Sequence, residues 1–294
     1  RKTLNKSKQS LTASHGQPRL KDGDRNKEKV MNENLTETEP VKPVAPYIGG
    51  KSRLSKIIVK RINEIDHEIY VEPFVGMGGI FLRRSFKPQS EVINDFNKEL
   101  STLYRILQRH YPQFMDMLKF QISSRAEFER LRKTKPETLT DLERAARFLY
   151  IQRLAFGGKP TGNYGVSPDR GGRFNITTLA PMLDDLHSRL AGVVIECLPY
   201  QDLIKQYDRK GTLFYLDPPY HGGENDYGKD LFKRSDFENL AKQLANLQGR
   251  FILSINDVPE IREIFKAFSI EPVTVTYSIA KNGPAKAKEL IISN

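Results

Sequence analysis

Glu68-Ile69-Tyr70-Val71-Glu72-Pro73-Phe74-Val75-Gly76-Met77-Gly78-Gly79-Ile80-Phe81-Leu82 is the stretch on which the fold turns. Its first four residues read as a short strand, Pro73 to Gly79 as a glycine loop, and Ile80-Phe81-Leu82 as the apolar start of a helix. Glycines in such a loop let the backbone come close to a ligand, and the helix behind it presents unpaired N–H groups. Glu91–Asn94 reads as the next strand and ends in Asp95, 16 residues after Gly79. A carboxylate in that place is suited to accept from ribose hydroxyls. The pairing predicts a nucleoside-bearing ligand, and dinucleotides stay open at this point.

The same reading extends along the chain. Residues 52–64 place Leu54, Ile57, Ile58 and Ile62 at helical spacing, with Ser52 as the expected cap. Residues 97–120 read as one or two helices, Arg125–Lys133 and Asp141–Ala155 as two more, and 157–175 as a loop rich in Gly, Pro and Asn. Leu183–Leu190 is expected to end a helix. Val193–Cys197, Thr212–Leu216 and Arg250–Ile255 read as strands, Ser235–Asn246 and Pro259–Phe268 as helices, and Thr274–Tyr277 with Glu289–Ile292 as a closing hairpin. Strands alternating with helices predict an α/β fold with a mostly parallel sheet. The helical, strand-poor run from about 100 to 190 interrupts the alternation, as an inserted domain would.

Charge is unevenly spread. The net charge is +11 over 294 residues, and residues 100–175 alone carry 14 basic and 7 acidic side chains. A basic block in an otherwise near-neutral chain suits a phosphate backbone, although a solvated helical face has the same composition. Residues 1–46 hold no aromatic residue and ten apolar ones. Such a segment buries too little apolar surface to offset its ordering entropy, so a disordered basic tail ending at Pro40, Pro43 and Pro46 is expected. One cysteine excludes a disulfide framework and a Cys-rich zinc site. No run approaches the ~18 apolar residues of a membrane span, and no secretory leader is expected.

The sharpest chemical feature is Asp217-Pro218-Pro219-Tyr220, which follows the apolar strand Leu213-Phe214-Tyr215-Leu216. It therefore lies at a strand's C-terminal end, where open α/β sheets bind ligands. Two prolines fix the backbone and lack N–H donors, so their carbonyls are free. A carboxylate beside a free carbonyl gives two acceptors, which match the two N–H donors of a planar aromatic amine. Tyr220 offers a stacking face. Gly49-Gly50-Lys51-Ser52 invites a phosphate-loop reading, but Ala45 stands where that motif needs a glycine, and prolines replace the preceding strand. The five histidines lack ligand spacing, so no metal is expected. Cys197 reads as core. Asn256 is either near the pocket or in a simple turn.

These residues together resemble the Dam-type family of DNA adenine methyltransferases, its prophage-like members in particular, over roughly residues 45–294. Tyr47-Ile48-Gly49-Gly50-Lys51 is similar to the family's N-terminal cofactor motif, with Tyr47 in place of the usual Trp. Glu72 to Gly78 resembles its methyl-donor loop, with Gly79 for the usual Ser or Thr. Asn94-Asp95-Phe96-Asn97 resembles the ribose-binding motif, and Asp217 to Tyr220 matches the catalytic tetrapeptide. Asp202 stands where the family has an acid near the cofactor's adenine.

The resemblance implies a Rossmann-like methyltransferase sheet, built from 47–99 and 191–294, with a mainly helical target-recognition insertion at 100–190. It implies methyl transfer from S-adenosylmethionine to the exocyclic amine of a flipped-out adenine. Asp217, Pro218, Pro219 and Tyr220 would be catalytic. Tyr47, Gly49, Lys51, Glu72, Phe74, Gly76, Gly78, Asp95, Asp202 and Asp217 would hold the cofactor. Arg125, Arg130, Arg132, Lys133, Arg153, Lys159, Arg170 and Arg173, with Asn163, are the candidates for double-stranded DNA, as phosphate contacts or base readers. Phe174 would be core or a wedge. A cytoplasmic, nucleoid-associated monomer is expected, with a cognate restriction endonuclease as the one protein partner to look for. Rival readings are methylation of cytosine, RNA adenine or a protein glutamine, and a catalytically silent DNA-binding relative.

Overall fold

A computed structural model describes residues 34–159, 162–165, 169, 171–222, 232–279 and 283–294. The strands and helices follow in chain order. β1 (Thr36–Glu37) precedes α1 (Ser55–Glu64), β2 (Ile69–Glu72), β3 (Phe86–Lys87) and β4 (Ser90–Asn94). Five helices come next: α2 (Lys98–Arg109), α3 (Tyr111–Leu118), α4 (Arg125–Lys133), α5 (Asp141–Leu154) and α6 (Ile176–Arg189). The chain closes with β5 (Val194–Glu196), α7 (Tyr200–Tyr207), β6 (Thr212–Leu216), α8 (Arg234–Leu244), β7 (Arg250–Asn256), α9 (Pro259–Ile264), β8 (Ser269–Ile279) and β9 (Gly283–Ser293).

The main sheet runs β5-β4-β2-β6-β7-β9-β8. The first five strands are parallel; β9 lies antiparallel to β7 and to β8. All five residues of β6 are buried. Their alternation divides two apolar clusters: Leu213 and Tyr215 join one, Phe214 and Leu216 the other. A strand buried on both faces must be apolar throughout, which is why it reads as an unbroken run. β2 and β6 are neighbours, with the chain's next strand, β4, on the far side of β2. The sheet order reverses between them, so the glycine loop after β2 and the Asp217 loop after β6 emerge side by side.

The helices of the insertion are locally encoded. Asn97, Ser124 and Thr140 cap α2, α4 and α5 with their side chains, and Thr140 with Glu143 forms a capping box. They do not build a separate core. Leu103, Leu107, Phe148 and Leu149 share one cluster with Ile93, Leu213 and Ile252 of the sheet, and the chain from Asn32 onward is one compact unit. The insertion is also bolted to the sheet by charge. Arg189 of α6 donates twice to Glu91 of β4, both at 2.7 Å, and Arg84 stands 3.1 Å from the same carboxylate.

Several expectations change. Order begins before Tyr47: β1 pairs with β3, the Val41 N–H donates to the Leu82 carbonyl at 2.7 Å, and Val41, Val44 and Ala45 are buried. A low average hydropathy concealed these three apolar residues; residues 1–33 lie outside those described. The expected helix after the glycine loop is a single 3-10 turn, Phe81–Arg83, because Arg84 turns to extended backbone and buries its guanidinium against Glu91. Helix α1 begins at Ser55 with Leu54 as its cap, not Ser52. The last expected helix stops at Ile264, and the closing hairpin is far longer than its apolar residues suggested. Helix α7 was not anticipated. Cys197 is exposed, and Phe174 is core at 3% exposure.

Candidate active site

A cavity of about 500 Å³ opens at the C-terminal ends of β2, β4 and β6. The glycine loop forms one wall. Gly76 has φ +50°, and a Cβ there would stand 3.0 Å from the Tyr47 ring. Gly78 has φ +74°, and its Cβ would meet Leu82 at 2.6 Å. Both positions combine a left-handed backbone with close packing, so only glycine fits. The Tyr104 hydroxyl donates to the Gly76 carbonyl at 2.8 Å. Buried Asn94 ties the wall to its surroundings: its amide donates to the Pro73 and Leu198 carbonyls at 2.9 and 3.1 Å, and its oxygen accepts the Leu198 N–H.

Three carboxylates face this space. Asp95 accepts the Gly76 and Asn97 N–H groups at 3.0 and 2.9 Å, yet burial pushes it up to about 6. Glu72 accepts the Tyr70 hydroxyl at 2.8 Å, and burial pushes it up to about 8, so it holds its proton at neutral pH. Asp217 is also raised to about 6 by burial, against the opposing pull of Lys51. Lys51, 2% exposed, lies 2.7 Å from Asp217 Oδ1 and donates to the Tyr220 hydroxyl at 2.6 Å. Ser254 Oγ donates to Asp217 at 3.3 Å and is itself 2.8 Å from the Tyr215 hydroxyl. Beyond the prolines, Asn256 clamps the loop: it accepts the His221 N–H and donates to the His221 carbonyl, both at 3.0 Å.

The fold thus brings Tyr47, Gly49, Lys51, Glu72, Phe74, Gly76, Asp95, Asp217 and Pro219 onto one cavity. Pro218 is buried and is not among the residues that line it, Tyr220 sits under Lys51 with its ring centroid 4.1 Å from the ammonium, and Gly78 packs inside the loop. Asp202 is exposed in the first turn of α7 and does not line the cavity; Tyr200, one turn edge away, does the packing there, 5.5 Å from Phe74. Lys42, Arg83, Phe96 and Phe232 line the cavity without having been anticipated. Glu289, 1% exposed, accepts the Tyr220 hydroxyl at 2.6 Å. Its one legible signal was an acid heading the apolar run Leu290-Ile291-Ile292.

The basic candidates separate. Lys133, Lys159 and Asn163 are exposed. Arg130 is exposed but held by Glu127 at 2.7 and 2.8 Å, and Arg132 pairs with Glu129 at 2.7 Å. Arg125 lies over the Tyr164 ring at 4.9 Å. Arg153 is spent on the Val44 and Arg173 carbonyls, and Arg173 reaches the Ala155 carbonyl at 3.5 Å. Arg170 lies outside the described residues. Beside this group Phe156 is 69% exposed, between α5 and Gly157-Gly158.

A reversed-order parallel sheet with an antiparallel strand pair at one end, and a glycine loop beside an Asp-Pro-Pro-Tyr loop, define a Rossmann-like methyltransferase. Residues 47–279 match the model of the D12 class N6 adenine-specific DNA methyltransferases, and the chain belongs to that family of enzymes. It is 24% identical to a type II methyltransferase of Paramecium bursaria Chlorella virus NC1A, over 78% of this chain and 88% of the relative. It is 26% identical to a type II methyltransferase of Lactococcus lactis subsp. cremoris, over 86% and 95%. It is 27% identical to a DNA adenine methylase of Salmonella typhi, over 82% and 90%. The family implies S-adenosylmethionine as methyl donor and DNA as substrate. No helix among the described residues is long and apolar enough to cross a membrane.

Proposed function

We propose that the chain methylates the exocyclic amine of adenine at specific sites in double-stranded DNA. The observation that carries this reading is the placement of Asp217 on the same cavity as Glu72 and Asp95, at the point where the sheet order reverses. The cavity's chemistry suits S-adenosylmethionine. Phe74, Phe96 and Phe232 offer aromatic surface, Asp95 carboxylate oxygens for hydroxyls, Lys42 and Arg83 cations for a carboxylate, and Asp217 a negative charge favourable to a sulfonium. When bound, the donor supplies an electrophilic methyl group.

The residues of the chain do the rest. Adenine's amino lone pair is conjugated into its ring and nucleophilically weak. The Asp217 carboxylate and the Pro218 carbonyl accept its two hydrogens and favour a pyramidal nitrogen. Asp217 must be ionised to accept. Positioning and a preorganised field supply most of the rate. The target base leaves the duplex at a cost of ~ a few kcal/mol, and Tyr220 offers it a ring. Helices α2–α6 carry the DNA-facing surface. Lys133 and Lys159 contact phosphates, Phe156 faces the bases as a wedge, and Arg153 with Arg173 braces the loop that carries it. The enzyme works as a cytoplasmic monomer, with or without a cognate endonuclease.

The test is methyl transfer from tritiated donor to DNA, followed by methylated-nucleoside analysis. N6-methyladenine from the wild type and loss of at least ~10³-fold in Asp217→Ala are expected. Label in cytosine, RNA or protein, or an Asp217→Ala variant that turns over normally, overturns the assignment.

A further inference from the structure

Behind Asp217 one lysine faces two carboxylates, and the second of these has no part in the chemistry above. Glu289 lies in β9 opposite Asn256 of β7 and is 1% exposed. Its Oε2 accepts the Tyr220 hydroxyl at 2.6 Å and lies 4.0 Å from Lys51 Nζ. That ammonium donates to the Tyr220 hydroxyl at 2.6 Å and rests 2.7 Å from Asp217 Oδ1. The Tyr220 oxygen therefore stands between Lys51 and Glu289, accepting from one and donating to the other.

This geometry weakens the proposed chemistry unless something moves. Lys51 and Ser254 both engage Asp217 Oδ1, and the ammonium offsets the charge with which the carboxylate would hold an amine N–H. The lysine cannot simply withdraw, because a buried ammonium left without its anion costs ~3–5 kcal/mol. Glu289 removes the conflict. A displacement of about 1 Å would bring Nζ from 4.0 Å to charge-assisted contact with Glu289. The Tyr220 hydroxyl stays within reach of the ammonium throughout.

We propose that Glu289 is a positioning residue for methyl transfer, the second anion onto which Lys51 shifts when an amine N–H takes its place on Asp217. The proposal rests on the reading of Asp217 as the amine's acceptor. No bond to Glu289 forms or breaks; it acts through Lys51 and Tyr220. Glu289 also acts on Asp217 through space. Asp217 is faced by Lys51 ahead of α1, Glu72 at the end of β2, Tyr215 in β6, Tyr220 in its own loop and Glu289 in β9. The negative charge of Glu289 favours the protonated form of Asp217.

Glu289→Gln tests this, because the amide oxygen still accepts from Tyr220 while the charge is gone. The expected result is a kcat reduced about tenfold or more, with donor Kd by calorimetry within about threefold of wild type. The acidic limb of the kcat–pH profile should move to lower pH. Glu289→Asp, which keeps the charge, should return that limb to its place. In a crystal of the wild type with a duplex it methylates, Lys51 Nζ should lie nearer Glu289 than Asp217. Wild-type kcat and pH profile in Glu289→Gln, or Lys51 still on Asp217 in the complex, overturns the proposal. If the Gln variant does not fold, the Asp variant and the complex decide it. A wild type that methylates adenine with an unaltered Glu289→Gln variant removes only the role of Glu289. A wild type that does not methylate adenine in DNA removes the reading of Asp217 and this proposal with it.

Discussion

On the proposed reading Asp217 must be ionised to accept from the amine, and burial raises it to about 6. The rate should therefore climb as pH rises through about 6 and level off above, which a kcat–pH profile at saturating donor and DNA will read. Glu72 carries the opposite lesson. Its ordinary value is 4.5, and burial raises it to about 8. The folded protein keeps a proton there that the unfolded chain releases above about 4.5. That share of stability is whole below 4.5 and is lost as pH rises through about 8. Glu72→Gln keeps an oxygen for the Tyr70 hydroxyl and removes the pH dependence. In urea denaturation of the donor-free protein at pH 8.5 it should gain on the order of 1–3 kcal/mol over the parent, and at pH 4 almost nothing. At this scale the motif residues were legible because chemistry dictates residue type. Glu289 was not, because an acid in a strand acquires a role only from what stands across the sheet.

Among elements, β6 and α4 match their sequence expectation to the residue, since both are set by local pattern: an apolar run for one, a Ser124 cap and a basic last turn for the other. α7 escaped notice because its ordering comes from Tyr200 packing on Phe74 and Phe232, residues remote in sequence. The glycine loop shows local and tertiary demands meeting. Gly76→Ala puts a methyl group 3.0 Å from the Tyr47 ring on a φ of +50°. It should cost about 1–2 kcal/mol of stability. Donor affinity should fall about tenfold, because Tyr47 and the loop share the cavity wall. Calorimetric titration with the donor beside a thermal melt checks both; unchanged affinity would take this wall out of the donor site.

Across the molecule, the +11 charge acquires a location once ion pairs are taken into account. Arg130 and Arg132 are matched by Glu127 and Glu129; Lys133 is exposed. Replacing Lys133 with Glu should weaken DNA binding and flatten the slope of log K against log salt by about 1. Arg130→Glu should change the slope by less, since Glu127 already offsets that charge. Fluorescence anisotropy over a salt series measures this, and an equal effect from Arg130→Glu would mean that Glu127 does not offset the Arg130 charge. Other pairs tie helices α2–α6 to the sheet: those of the Arg189–Glu91–Arg84 cluster, together with the shared apolar core.

Residue identity alone carried the α/β class, the order of the motifs along the chain, the glycine loop, Asp95 and the Asp217 tetrapeptide, because periodicity, turn chemistry and motif spacing are local properties. Tertiary structure decided the rest. It placed the ends of β2 and β6 side by side, folded residues 42–46 against the cavity, withdrew Arg153 from the surface, and set Lys51 between Asp217 and Glu289. The physical reason is that burial and electrostatic pairing depend on which residues meet in space. Glu289 is 238 positions from Lys51 in the chain and 4.0 Å from it in the fold.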